Sequence, residues 1–123
     1  MAETIYIIDP MLDERCRIMD ALAGEQVIVK SYDSAAAFFV EVAATASGCV
    51  LVSLDLPGMG LRALMDEIRR RHLALAVVVV LGRDSDFSTA VELVRWGAFD
   101  VIEYPFSDRR LRLAVRHAIG TST

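Results

Sequence analysis

Cys49-Val50-Leu51-Val52-Ser53-Leu54-Asp55-Leu56-Pro57-Gly58-Met59-Gly60 opens as an unbroken apolar run, the pattern of a strand buried on both faces of a parallel sheet. It closes in Pro-Gly-Met-Gly, which stops a strand and starts a loop. In open α/β sheets, chemistry lies just beyond the carboxyl ends of the central strands. Ser53, Asp55 and the Pro57-Gly58 turn therefore stand where a functional site belongs. They offer one hydroxyl and one carboxylate.

Downstream, Leu61, Leu64, Met65 and Ile68 fall on the inner side of a predicted helix, with Arg62, Glu67, Arg69 and Arg70 outside. Arg69-Arg70-Arg71-His72 closes that helix, where cations complement the helix dipole rather than build an anion site. Ala76 to Leu81 is the clearest buried parallel strand. A polar loop from Gly82 to Ser85 follows, Ser85 capping a helix that bears Phe87, Ala90, Val91 and Val94 and ends at Trp96-Gly97. Val101-Ile102 is the last strand, stopped by Tyr104-Pro105. Ser107 caps the final helix, and Phe106 and Leu111 are spaced as a hydrophobic staple. Leu111, Val115, Ala118 and Ile119 form its inner stripe, and Gly120 is expected to end it.

Upstream, Ile5-Tyr6-Ile7-Ile8 is a strand stopped at Asp9-Pro10. Leu12, Cys16, Met19 and Ala23 recur at helical spacing before Gly24. Val27-Ile28-Val29 makes a further strand. Asp33 or Ser34 then caps a helix with Ala35, Phe38, Phe39 and Val42 on one side, and Ser47-Gly48 breaks the chain before the central strand. Strands and helices alternate strictly, which predicts a parallel sheet with helices on both faces.

The 123 residues fit one domain, 1–123, and the 54% apolar fraction predicts a well-filled core. A net charge of −4 gives no bulk attraction to nucleic acid. Cys16 and Cys49 have no C-x-x-C or His-rich context, so neither zinc nor a redox pair is indicated, and both read as small core residues. The chain shows no secretory signal, and its longest apolar run, Leu73 to Leu81, is far short of a membrane span. The expectation is a cytoplasmic protein with no membrane partner.

Ile5 to Asp9, Gly48 to Val52, Pro57-Gly58-Met59, Val91-Glu92 and Gly97 to Phe106 together resemble the receiver domain of two-component response regulators. The flavour is that of nitrogen-fixation regulators with a LuxR-type DNA-binding output domain. The resemblance runs from about Thr4 to Ile119. It implies a flavodoxin-like (CheY-like) doubly wound (βα)5 fold, with strand order 2-1-3-4-5. It also implies phosphoryl transfer from a histidine kinase to an aspartate after the third strand. Paired acids would hold Mg²⁺ there, and a hydroxyl and a lysine would bind the phosphoryl oxygens.

Carried over residue by residue, the resemblance implies a degenerate site. The acid pair maps to Asp9 and Pro10, the phosphoacceptor to Ser53, the hydroxyl to Leu81, the lysine to Tyr104 and the switch aromatic to Val101. Asp9 alone is left as a metal ligand, so no cofactor is expected. Asp55 would replace the acceptor if the strand slipped by two residues, a shift that preserves which side chains face inward. Phosphorylation of Ser53 itself would give a stable ester and need another kinase and a cationic partner. Replacing clustered acids by Pro10, Ser53, Leu81 and Tyr104 removes their repulsion, is expected to fill the cleft, and predicts a domain that does not switch by phosphorylation.

Function then falls to surfaces. The face of helix four, strand five and helix five, with Trp96, Tyr104, Arg95, Arg109, Arg112 and Arg116, is the expected homodimer interface. Asp86 and Glu92 are the opposite charges near it. DNA would be reached only through an output domain, the chain being either a stand-alone domain or the N-terminal fragment of a longer regulator. An enzyme is not expected: there is no G-x-G-x-x-G, and His72 and His117 fall late in helices without a partner acid. The competing reading is a ligand-gated pseudo-receiver with a small molecule between Asp9, Ser53 and Tyr104.

Overall fold

Runs of β-branched residues set the sheet, and the computed structural model describes it over residues 3–82 and 87–122. The strands are β1 (Glu3–Ile8), β2 (Val27–Tyr32), β3 (Ser47–Ser53), β4 (Ala74–Leu81) and β5 (Asp100–Glu103). The helices are α1 (Leu12–Leu22), α2 (Ala35–Glu41), α3 (Leu61–Arg70), α4 (Phe87–Trp96) and α5 (Asp108–Ser122). All strands pair in parallel in the order β2-β1-β3-β4-β5, as the resemblance implied. The expected Ser85 cap, Asp86 and the expected inward side chain of Phe87 lie outside what is described.

Alternation along each strand builds two separate cores. Ile5 and Ile7 of β1, Cys49 and Leu51 of β3, and Val78 and Val80 of β4 point to α1 and α5, meeting Ile18, Leu22, Leu111 and Val115. Tyr6, Ile8, Val50, Val52, Val77 and Val79 point to the other side, under α2, α3 and α4. There Phe38 is fully buried and edge-on to Tyr6, Tyr32 and Phe39, with centroids 5.3, 5.6 and 4.9 Å away. Such pairs add about 0.5–1.5 kcal/mol each beyond their buried area.

Several local expectations hold. Ser34 Oγ accepts from Ala37 N at 3.1 Å and Ser107 Oγ from Arg110 N at 3.0 Å, so both caps form. Leu61, Leu64, Met65 and Ile68 are the buried face of α3. Phe106 and Leu111 are both buried in the α1–α5 core. The cations closing α3 are structural: Arg70 and Arg71 both pair with Glu67, and Arg71 also donates to Phe39 O at 3.1 Å.

Others are corrected. In α1 the buried residues are Ile18, Ala21 and Leu22, whereas Leu12 is exposed. Cys16 is exposed, not core, while Cys49 is fully buried and its thiol is pushed up to about 12 by burial. In α4 the buried core contact is Leu93, with Ala90 and Trp96 packed beside it, whereas Val91 and Val94 face outward. Ser47 and Gly48 belong to β3 rather than breaking before it. Gly48 has φ +132°, and a Cβ there would lie 2.0 Å from Thr4 O, so this β1–β3 approach requires glycine. Gly120 lies inside α5, which runs on to Ser122. Among the described residues no helix is long and apolar enough to cross a membrane.

Candidate functional site

At the carboxyl end of the sheet, the ends of β1, β3 and β4 and the segment after β5 surround a cleft of about 270 Å³. Pro10, Ser53, Leu81 and Tyr104 line it without filling it, a correction to the expected closed cleft. Asp9, Pro10, Ser53, Asp55, Leu81 and Tyr104, singled out from the sequence, all line it. The strand ends bring them together. Asp9 follows β1 and is held by its N–H donating to Tyr32 O at 3.1 Å. Leu54 N donates to Val80 O at 3.1 Å, and Tyr104 N to Leu81 O at 3.0 Å, which ties the segments after β3 and β5 to β4.

Asp9 is the one buried charged residue among those described, with 1% of its surface exposed. Its Oδ1 accepts from Met11 N at 2.8 Å, closing the turn into α1, and its carbonyl accepts from Arg15 Nη1 at 2.7 Å. Its Oδ2 is buried and accepts no hydrogen bond from a donor group. Beside it stands Glu14, from the first turn of α1. Its side-chain interaction with Asp9, then burial, then the negative charges of Asp9 and Asp55 raise the Glu14 carboxyl to about 7.

β3 keeps its register to the end, Ser53 opposite Val80, so no slip carries Asp55 into the acceptor position. Ser53 Oγ instead accepts from Asp55 N at 3.3 Å, and Asp55 sits exposed in the following loop, still on the wall of the cleft. Leu81 is fully buried. Tyr104 is half-buried and meets Phe106 edge-on at 5.5 Å. Val101 stands apart from the cleft, paired with Val79 and packed against the core under α2, α3 and α4.

The expected interface residues divide. Trp96 is half-buried against the same core, with the Arg62 guanidinium stacked over its ring at 5.0 Å, and Arg95 lines the α3–α4 groove beside it. Arg112 Nε donates to Ala21 O at 2.8 Å, and Arg116 pairs with Glu25. These two arginines therefore turn toward α1 and away from α4, a correction to their expected place on the α4–β5–α5 face. Arg109 is exposed near the start of α5. The sequence reading missed the exposed apolar residues Val91, Val94, Phe99 and Leu113, which lie on α4, before β5 and on α5.

It also missed Glu14. Taking Leu12, Cys16 and Met19 as one stripe of α1 turned the helix so that Glu14 fell outside. The usable signal was an acid five residues after Asp9 in a first helical turn, close enough to reach back to the strand end.

Compared with known families, residues 5–116 match the response regulator receiver domain. The transcriptional regulatory protein FixJ of Azorhizobium caulinodans is 31% identical over 118 residues, covering 96% of this chain and 56% of that protein. The nitrogen assimilation regulatory protein NtrX of the same organism is 30% identical over 123 residues, covering 98% of this chain and 27% of that one. The crystal structure of NtrX from Brucella abortus superposes with a TM-score of 0.87 at 32% identity, over 99% of this chain and 28% of that one. Full-length FixJ from B. japonicum gives a TM-score of 0.87 at 28% identity, over 98% and 59% of the two chains. The chain spans 56% or less of the FixJ and NtrX regulators that it matches among curated proteins. Sheet order, strand-end cleft and the match over residues 5–116 agree: the chain belongs to the response regulator receiver domain family.

Proposed function

We propose that this receiver domain is atypical: it takes no phosphoryl group on aspartate and acts as a cytoplasmic dimerisation and regulatory module for a DNA-binding output domain. The observation that carries this reading is Ser53 at the end of β3, in the unslipped register, where an acyl phosphate would need a carboxylate. Pro10, Leu81 and Tyr104 surround it in place of an acid, a hydroxyl and an ammonium. The residues present do not fit Mg²⁺ either. Asp9 Oδ2 is a suitable oxygen, but among the described residues no three His, Cys, Asp or Glu side chains group closely enough to hold a metal. Mg²⁺ demands near-octahedral oxygen geometry, and the carboxyls of Asp9, Glu14 and Asp55 line the cleft without converging on one point. No enzymatic role is assigned.

The FixJ relatives are named as transcriptional regulatory proteins, which supports a DNA-binding output. Val91, Val94, Phe99 and Leu113 give the α4–β5–α5 face apolar contact area for a homodimer, with Arg109 at its rim. Intact-mass measurement after incubation with acetyl phosphate and Mg²⁺ tests the reading. An unchanged mass is expected. A phosphoryl adduct mapped to Asp55 or Asp9 overturns it. A second role, ligand gating, is favoured by the cleft itself: its volume persists beside a buried, unpaired carboxylate oxygen.

A further inference from the structure

We propose that the cleft at the carboxyl end of the sheet binds a small organic cation, a guanidinium or primary ammonium carried on a short apolar body. The inference rests on the ligand-gated reading above and deepens it.

Asp9 is 99% buried, lines the cleft and leaves Oδ2 without a hydrogen-bond donor. Above about 7, where Glu14 beside it has lost its proton, that buried carboxylate oxygen has no donor to offset its cost, and a charged donor relieves it best. Two further carboxylates, Glu14 from α1 and Asp55 from the loop after β3, stand on the same walls. None of the described residues lining the cleft carries a positive charge. Arg15, the nearest cation on α1, is spent on the Asp9 carbonyl rather than its carboxylate.

The spacing argues for an extended ligand. The acids share one cleft but do not close into a group able to hold a metal ion. A guanidinium spreads several donors over a plane and suits carboxylates placed apart. The remaining wall is apolar, with Val80, Leu81 and Met11, and Tyr104 adds an aromatic ring. The volume of about 270 Å³ is several times the ~30 Å³ share of a water molecule, room for a short body behind the charged head.

The test is an amide NMR titration of the full chain with methylguanidinium chloride at constant ionic strength, beside methylurea and MgCl₂. Saturable shifts at Asp9, Met11, Ser53 and Tyr104 with methylguanidinium, and none with methylurea, are expected. Asp55→Asn should weaken binding by about tenfold, the loss of one charge-assisted contact. Asp9→Asn keeps an acceptor for Met11 N and should weaken it further. Equal response to methylurea, indifference to both substitutions, or saturation by Mg²⁺ alone overturns the inference. The acetyl phosphate experiment separates the two claims. An adduct there removes the atypical-receiver reading, whereas an unchanged mass with no methylguanidinium response removes only the cation site.

Discussion

The two faces of the sheet are held by different physics. Under α2, α3 and α4 the chain relies mainly on shape: Phe38 wedged among Tyr6, Tyr32 and Phe39, with aliphatic residues around it and the arginine contacts of Arg71 with Phe39 and Arg62 with Trp96 at its margin. Under α1 and α5 it adds polar cross-links to an aliphatic core. Arg17 donates to Asp108 Oδ1 at 2.7 Å and to Phe106 O at 3.0 Å, with its guanidinium 5.0 Å over the Phe106 ring. Arg112 and Arg116 add bonds to Ala21 O and Glu25 on the same side. The α1–α5 pair is thus clasped to itself, while α4 keeps Val91 and Val94 exposed. A fixed flank and an open flank suit a domain whose work is contact.

The largest expected effect comes from breaking the shape-held face. Phe38→Ala should cost about 3–5 kcal/mol in denaturant unfolding, because a fully buried ring leaves a cavity. A loss below about 1 kcal/mol would mean that the aromatic cluster is not the centre of that core. On the clasped face Arg17→Ala should cost about 1 kcal/mol, since its partner carboxylate is half exposed and solvent weakens the pair. Parity between the two losses would erase the contrast.

Proton linkage sharpens the comparison at the cleft. Folded Glu14 holds its proton up to about 7 against an ordinary 4.5, so the folded state binds more protons over that interval. Stability should therefore fall as pH rises from about 4.5 to 7, and Glu14→Gln should flatten that part of the profile. An unchanged slope in the variant would place the proton elsewhere. Smallest in stability is Val94→Glu, an exposed change expected to stay within about 0.5 kcal/mol. It should nonetheless shift the association state measured by light scattering; an unaltered state would take α4 out of the interface.

The strands were legible because parallel strands buried on both faces read as continuous apolar runs, as in Ala76 to Leu81. The strand ends made Ser53 and Asp55 legible directly, whereas Asp9, Leu81 and Tyr104 as cleft positions came through the receiver resemblance laid over those strand ends. Helix rotation was harder. Apolar periodicity assumes that a helix hides its apolar side, but the start of α1 borders a polar cleft, so Glu14 faces in while Leu12 and Cys16 face out. In α4, Val91 and Val94 broke the same assumption because that surface is open. Arg112 and Arg116 were misassigned because long side chains reach across to whichever neighbour supplies an acceptor, here Ala21 and Glu25.

Trp96 is the chain's one tryptophan, and the groove beside it is also lined by Leu54, the residue between Ser53 and Asp55. A single short loop thus presents Asp55 to the cleft and Leu54 to the indole. The molecule carries its own optical reporter: rearrangement of that loop alters the polarity around the fluorophore, and emission can be followed without a label.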